Sequence, residues 1–309
     1  MLSRVADALY WMGRYVERAE HAARVLEVTR QLLLDVREVD PAAAELHWQG
    51  ARVALSMPEA TDACAVAFDE HEPGSIASSV ARARENARQV REVISSEMWE
   101  HLNQTYWALR EASQQPARED ELSATLGSVV SAGFSWAGVT DGTMRRGEGW
   151  LWIKLGQEVE RADRVARLLA VRGSDASGAP ARSLGGGDNV LWPTLLRGAS
   201  ALEAYRKVHP ARVDPRRVVD FLVLDREFPR SVRHCVAQAA ALAGALVVAN
   251  GDGGGRGRGV ERAFGRLASR LEYTDVDDVL SAGLAPFLLE VLHELGGASH
   301  QLQRTYFLH

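Results

Sequence analysis

Apolar residues recur at steps of three and four along almost the whole chain, and no convincing run alternates every second residue. That spacing is the period of a helix with one buried face, not of a half-buried strand. The first helix starts at Ser3, a good N-cap residue, and Val5, Leu9, Met12, Val16, Ala19, Ala23 and Leu26 draw one continuous seam along it. Asp40-Pro41 ends this helix and opens the next, with Pro at the first helical position. "EPGS" (Glu72 to Ser75) breaks the chain before one or two more helices, and "QQP" (Gln114 to Pro116) precedes another that ends around Gly138 to Thr143. A long helix spans roughly Met144 to Arg172. Later come a helix opening at "FPRSV", with Pro229 at its first position, and two closing helices, the last kinked or started by Pro286. Residues 173–189 and 250–259 are rich in Gly, Ser and Ala or Gly and Arg, and read as flexible segments. The pattern predicts an all-α multi-helix bundle, taken as a single domain over residues 1–309.

One stretch occurs twice. "YWMGRYVERAEHAARVL" (Tyr10 to Leu26) matches "LGQEVERADRVARLL" (Leu155 to Leu169) after a shift that carries Gly13 onto Gly156. The same shift pairs Glu17 with Glu160, Arg18 with Arg161, Glu20 with Asp163 and Arg24 with Arg167. An internal duplication with approximate twofold symmetry is the expectation, with halves of about 1–143 and 144–309. On a helix, positions three, four and seven apart share a face. Gly13, Glu17, Glu20 and Arg24 therefore form a charged stripe beside the apolar seam, and Gly156, Glu160, Asp163 and Arg167 form its twin. A glycine inside a helix costs about 1 kcal/mol relative to alanine, and close approach by another backbone would compensate. Both helices are thus expected to be central, with their charged stripes at least partly buried.

Three readings of this cluster compete. The first is an ion-pair network that orders the bundle, since Glu20-Arg24 and Asp163-Arg167 are acid-before-base pairs at the favourable spacing. Glu17, Glu20, Glu160 and Asp163 balance Arg18, Arg24, Arg161 and Arg167, so the cluster is neutral on paper. The second is a site for a small polar ligand, with arginine gripping a carboxylate or phosphate and Glu17 or Glu160 as acceptor or general base. The third, a metal centre, ranks last. Di-iron bundles use Glu-x-x-His on paired helices, His21 lies one turn beyond Glu17 instead, and four arginines would oppose a dication. No metal and no cofactor is expected, and no nucleophile is marked by spacing.

Composition narrows the rest. With 46% hydrophobic and 25% charged residues and a net charge of −5, the chain has no field marking a nucleic-acid binder. Its positive charge is nearly all arginine, Lys154 and Lys207 being the only lysines, so an anion here would meet planar guanidinium groups. Cys64 and Cys235 are too few for a disulfide framework, which fits a reducing compartment. The run from Cys235 to Ala249 contains Gln238 and is short of a membrane span. The expected setting is cytoplasmic, away from membranes, and the bundle's length is compatible with a dimer. Trp11, Trp136, Trp150, Trp152 and Trp192 read as core or interface aromatics, with no basic stripe to make them stacking platforms for nucleic acid.

Two further places hold candidate anion contacts. "RENAR" puts Arg84, Asn86 and Arg88 on one helix, where a solvated face with a helix-to-helix hydrogen bond is the plainer reading and approach to the Glu-Arg cluster the sharper one. At "FPRS", Arg230, Ser231 and the free N–H groups of a helix start could hold an anion, against an ordinary capped helix start.

Several separated segments resemble the alpha-E domain family, bacterial all-helical proteins named for a Glu-Arg motif. They are "LSRVADALYWMGRYVERAEHAARVL", "SIASSVARARENARQVREVIS", "MRRGEGWLWIKLGQEVERADRVARLL", "FLVLDREFPRSV" and the closing "TYF", in the family's order and across essentially the whole chain. The "NGDGGGRGRG" stretch looks like an insertion. The resemblance implies an association with circularly permuted ATP-grasp proteins and with a transglutaminase-like protein, in peptide synthesis or modification where ATP activates a carboxylate. The chain has no Gly-x-x-x-x-Gly-Lys-Ser/Thr loop for that activation. The implied role is a partner of an amide ligase that binds or presents the peptide or intermediate. The alternative is an enzyme or small-carboxylate-binding protein using the paired Glu-Arg helices.

Overall fold

The computed structural model describes residues 1–114, 119–171, 190–251, 255 and 257–308. Among the described residues there is no strand. The helices are α1 (Ser3–Val36), α2 (Pro41–Leu55), α3 (Ala63–Phe68), α4 (Ile76–Gln89), α5 (Ser96–Ala112), α6 (Glu119–Thr143) and α7 (Glu148–Ala170). They continue as α8 (Leu191–Gly198), α9 (Leu202–Val208), α10 (Pro215–Val219) with a π turn over Asp220–Leu224, α11 (Val232–Ala249), α12 (Gly257–Glu272), α13 (Val276–Ala282) and α14 (Leu284–Tyr306). The expected flexible stretch 173–189 lies outside the described residues, as do residues 252–254 and 256 of the 250–259 stretch. Gly257, Arg258 and Gly259 of that stretch already belong to α12, a correction to the sequence reading.

Helices α1 and α7 form the centre. Every residue from Ala19 to Leu26 of α1 is buried, polar ones included, because neighbours surround this part of the helix. Helix α1 packs against α7, α4 and α6, while α7 packs against α1, α11 and α14. The outer helices close each set, α5 on α4 and α6, and α12 on α11 and α14. Buried apolar residues from all these elements join in one continuous core.

The central crossing explains the two mid-helix glycines. A Cβ on Gly13 would lie 2.3 Å from the carbonyl oxygen of Ile153, and one on Gly156 would lie 2.1 Å from that of Tyr10. Backbone meets backbone at both points, so neither position has room for a side chain. Tyr10 and Ile153 are themselves partners under the shift that relates the glycines. The contact is reciprocal.

Caps set several boundaries as the sequence suggests. Asp40 accepts from Ala43 N (3.0 Å) with Pro41 at the first helical position. Ser3 is not the cap of α1; Leu2 holds that position, with no side-chain cap. Nor does Pro229 open a helix. Ser231 caps α11, its Oγ accepting from His234 N at 3.0 Å and donating to the Asp225 carbonyl at 2.5 Å. Ser75 caps α4 in the same manner, accepting from Ser78 N at 3.0 Å and donating to the Asp69 carbonyl at 2.5 Å. Both turns read Asp-x-x-x-Pro-x-Ser. Gly283, at φ +87°, separates α13 from α14, and Pro286 sits in the first turn of α14.

Among the described residues, two helices are long and apolar enough to cross a membrane by length and composition, over Asp120–Thr143 and Val232–Ala249, and the pair α13 and α14 passes only if taken together across its 102° bend. The second corrects the sequence count. The apolar helix starts at Val232, three residues before Cys235, and so reaches 18 residues. Half of that window is buried within the bundle, against α7 and α12.

Candidate functional site

The twin acids are buried at the crossing, Glu17 at 5% and Glu160 at 0% exposure, and each is held by the opposite helix. Arg161 of α7 grips Glu17 with two parallel bonds of 2.8 Å from Nε and Nη2. Arg18 of α1 grips Glu160 with Nε at 2.6 Å and Nη2 at 3.1 Å. Bidentate guanidinium–carboxylate geometry of this kind is both strong and orientation-specific. It locks the two helices in register at the turn beside the glycine contacts.

Three arginines outside the paper count complete the cluster. Arg14 Nε lies 2.6 Å and Arg164 Nε 2.8 Å from Glu160, so that carboxylate has three guanidinium partners. Arg230, brought in by the turn before α11, donates from Nη1 to Glu17 at 3.0 Å and from Nη2 to both Glu20 oxygens at 3.4 Å. Arg24 pairs with Glu20 and Arg167 with Asp163, each one helical turn on. Glu158 adds a fifth acid, 3.3 Å from Arg161 Nη1. Seven guanidinium groups (Arg14, Arg18, Arg24, Arg161, Arg164, Arg167, Arg230) therefore meet five carboxyls. The neutrality read from the sequence does not hold.

The titration behaviour follows from that excess. Burial alone would raise the Glu17 carboxyl, yet Arg161, Arg230 and Arg24 more than offset it and hold it at about 2. Glu160 is likewise held well below the usual carboxylate range by Arg14, Arg164 and Arg18 against its burial. Glu158 goes the other way, raised mainly by burial. Arg24 is lowered to about 9 by burial and by the neighbouring charge of Arg230, and Arg230 itself is lowered chiefly by burial. His21, 1% exposed between the two acids, is lowered to about 3 by burial and then by Arg164 and Arg230. It is neutral at pH 7, and its Nε2 has no hydrogen-bond partner.

A cavity of about 190 Å3 adjoins one half of this junction. Glu17, Glu20, Arg161 and Arg230 supply its polar wall, and Val16, Phe134 and Ala137 its apolar wall. Helix α6 comes close enough there that a Cβ on Gly133 would lie 2.4 Å from Glu20 Cγ. Phe134 is 52% exposed at this edge, with the guanidinium carbons of Arg24 and Arg230 5.5 and 5.8 Å from its ring centre. Among the described residues, no group of three or more His, Cys, Asp or Glu side chains is placed to hold a metal ion.

The other candidates separate. Arg230 joins the cluster, whereas Ser231 is engaged as the α11 cap. Arg84 does not approach; it donates to Asn103 at 2.8 Å and stacks among Trp99, Tyr106 and Trp107 on α5. Arg88 pairs with Glu85 on the exposed face of α4, and half-buried Asn86 bonds to no described side chain. Cys235 is fully buried and its thiol is pushed well up by burial, so it is no nucleophile. Sequence reasoning passed over Arg14 and Phe134. Arg14 stands one turn before Arg18 on the same stripe, a signal that was legible; Phe134 carried none.

Uncharacterized proteins from Mycobacterium bovis and from two strains of Mycobacterium tuberculosis are 27% identical to the chain over 317 residues. The match takes in 94% of this chain but 35% of each relative, so the chain spans about a third of their length. No solved structure matches. The profile of the Alpha-E family, described as a predicted alpha-helical domain with a conserved ER motif, matches residues 1–307. The chain belongs to the Alpha-E family.

Proposed function

We propose that this chain is a helical partner in an ATP-grasp-type amide-ligase system, where its Glu-Arg junction holds an anionic group of the peptide or intermediate. One observation carries the reading, a cavity walled by Arg161 and buried Arg230 beside the Glu-Arg clasp. The surplus guanidinium charge lies in the other half, where Arg14, Arg18, Arg164 and Arg167 meet Glu160 and Asp163, so the cavity and not the surplus is what a ligand would use. A carboxylate or phosphate in that cavity would meet the planar Arg230 guanidinium. The ligase setting rests on the family resemblance, and a cytoplasmic location goes with it. The halves are read as an internal duplication, a view supported by the reciprocal glycine contacts and the two Asp-x-x-x-Pro-x-Ser turns.

The test is reconstitution with the neighbouring circularly permuted ATP-grasp protein. Co-purification at a fixed ratio, with ATP-dependent amide formation that needs this chain and is lost in Arg230→Gln, supports the reading. Absence of any complex, together with turnover by this chain alone, would instead favour an independent enzyme built on the same acids.

A further inference from the structure

We propose that the cavity beside Glu17 and Glu20 takes a small α-amino acid as its zwitterion, the carboxylate on Arg230 and the ammonium on Glu20. This rests on the reading that the junction holds a ligand's anionic group, and it names the ligand class. A simple anion placed on Arg230 would also face Glu17 and Glu20, which accept hydrogen bonds and offer none while ionised. Only a ligand that brings donors with its acceptors avoids that repulsion.

Both side chains are paired but keep capacity for a further partner. Glu17 is well occupied by Arg161, but Glu20 receives only Arg24 and the two 3.4 Å contacts from Arg230, near the limit of a hydrogen bond. Arg230 spends Nη1 on Glu17 and Nη2 on Glu20, while its Nε–H donates to no described residue. Both groups are at least nine-tenths buried, where a completed charge pair is screened little by solvent. A space of about 190 Å3 has room for roughly six water-sized groups, the class of alanine or serine rather than of a dipeptide. The ligand's side chain would lie against Val16, Ala137 and the Phe134 ring.

The experiment is calorimetric titration of the full chain, at constant ionic strength, with glycine, L-alanine, L-serine and L-aspartate. The best binder is then compared with its N-acetyl and amide forms, and with propionate and inorganic phosphate. One site per chain is expected, with affinity falling at least tenfold when either charge is blocked. Ala137→Leu, which fills the cavity, and Arg230→Gln should both abolish binding, while Arg88→Gln should leave it unchanged; circular dichroism confirms that each variant is folded. N-acetyl amino acid, propionate or phosphate binding as tightly as the free amino acid would overturn the zwitterion and leave the anion reading standing. Binding that survives Ala137→Leu would overturn the assignment of the site. If nothing in the panel binds, both readings fail.

Discussion

Gly156→Ala isolates the central crossing in one methyl group. The new Cβ would lie 2.1 Å from the Tyr10 carbonyl oxygen, whereas a carbon needs about 3.3 Å from such an oxygen. A backbone carbonyl cannot rotate aside, so α1 and α7 must separate by roughly 1 Å at this point. The bonds from Arg18 to Glu160 and from Arg161 to Glu17, now 2.6 to 3.1 Å, would stretch towards the limit of hydrogen bonding. Overpacking costs about 1–3 kcal/mol, and weakening each of the two clasps adds about half of the roughly 1.5–3 kcal/mol of a charge-assisted bond. Against this stands a gain of about 1 kcal/mol in helix propensity. The net expectation is a loss of about 1.5–5 kcal/mol, or a fall in Tm of about 2–8 °C for a chain of this length. Differential scanning calorimetry reads it directly. Gly127→Ala on α6 is the control, since nothing lies within 4 Å of its Cβ position; it should gain about 0.5–1 kcal/mol. If Gly156→Ala also proves neutral or stabilising, the close crossing is wrong.

Three further outcomes follow from the same geometry. Glu160→Gln leaves Arg14, Arg18 and Arg164 around a neutral amide and should cost about 3–5 kcal/mol in urea unfolding, while exposed Arg88→Gln stays within about 0.5 kcal/mol; equal small losses would contradict the buried junction. His21, held at about 3 against an ordinary value near 6.5, favours the fold when neutral, so its contribution is complete above pH 6.5 and declines as pH falls towards 3. His21→Gln should therefore flatten the stability decline between pH 7 and about 5, and an unchanged slope in denaturant midpoints would show that His21 is not the buried neutral group described. Exposed Cys64 should react with a thiol reagent in the native state and buried Cys235 only after unfolding, which a kinetic titration in the presence and absence of urea distinguishes.

The sequence made the helices and the central stripes legible because both depend on local spacing. Gly13, Glu17, Glu20 and Arg24 share a face whatever packs against them, and their repetition at Gly156, Glu160, Asp163 and Arg167 pointed to two special helices. The charge balance was not legible in the same way. Arg230 reaches Glu17 across 213 residues, and its placement depends on the Asp225-to-Ser231 turn that fixes where α11 begins. Arg164 stands where the same shift places His21 in the first copy, and it supplies a third partner to Glu160. The turn at Phe228 to Ser231 offers, from sequence, a capped helix start or an anion site of its own. Its arginine instead contributes to the Glu-Arg cluster while its serine satisfies the helix end. Arg84 and Arg88 show the reverse, a charge-rich helix segment whose partners turn out to be local aromatics and an adjacent glutamate.

Carboxyl 13C NMR of glutamate-labelled protein tests the junction most directly, because it reads Glu17 and Glu160 one at a time. With assignments from Glu17→Gln and Glu160→Gln, both signals should stay at the ionised position from pH 7 down to below pH 3, or until the fold is lost, since their arginines hold Glu17 at about 2 and Glu160 well below the ordinary range. A midpoint near the unperturbed value of about 4.3 for either residue would mean that the reciprocal clasp does not exist in solution.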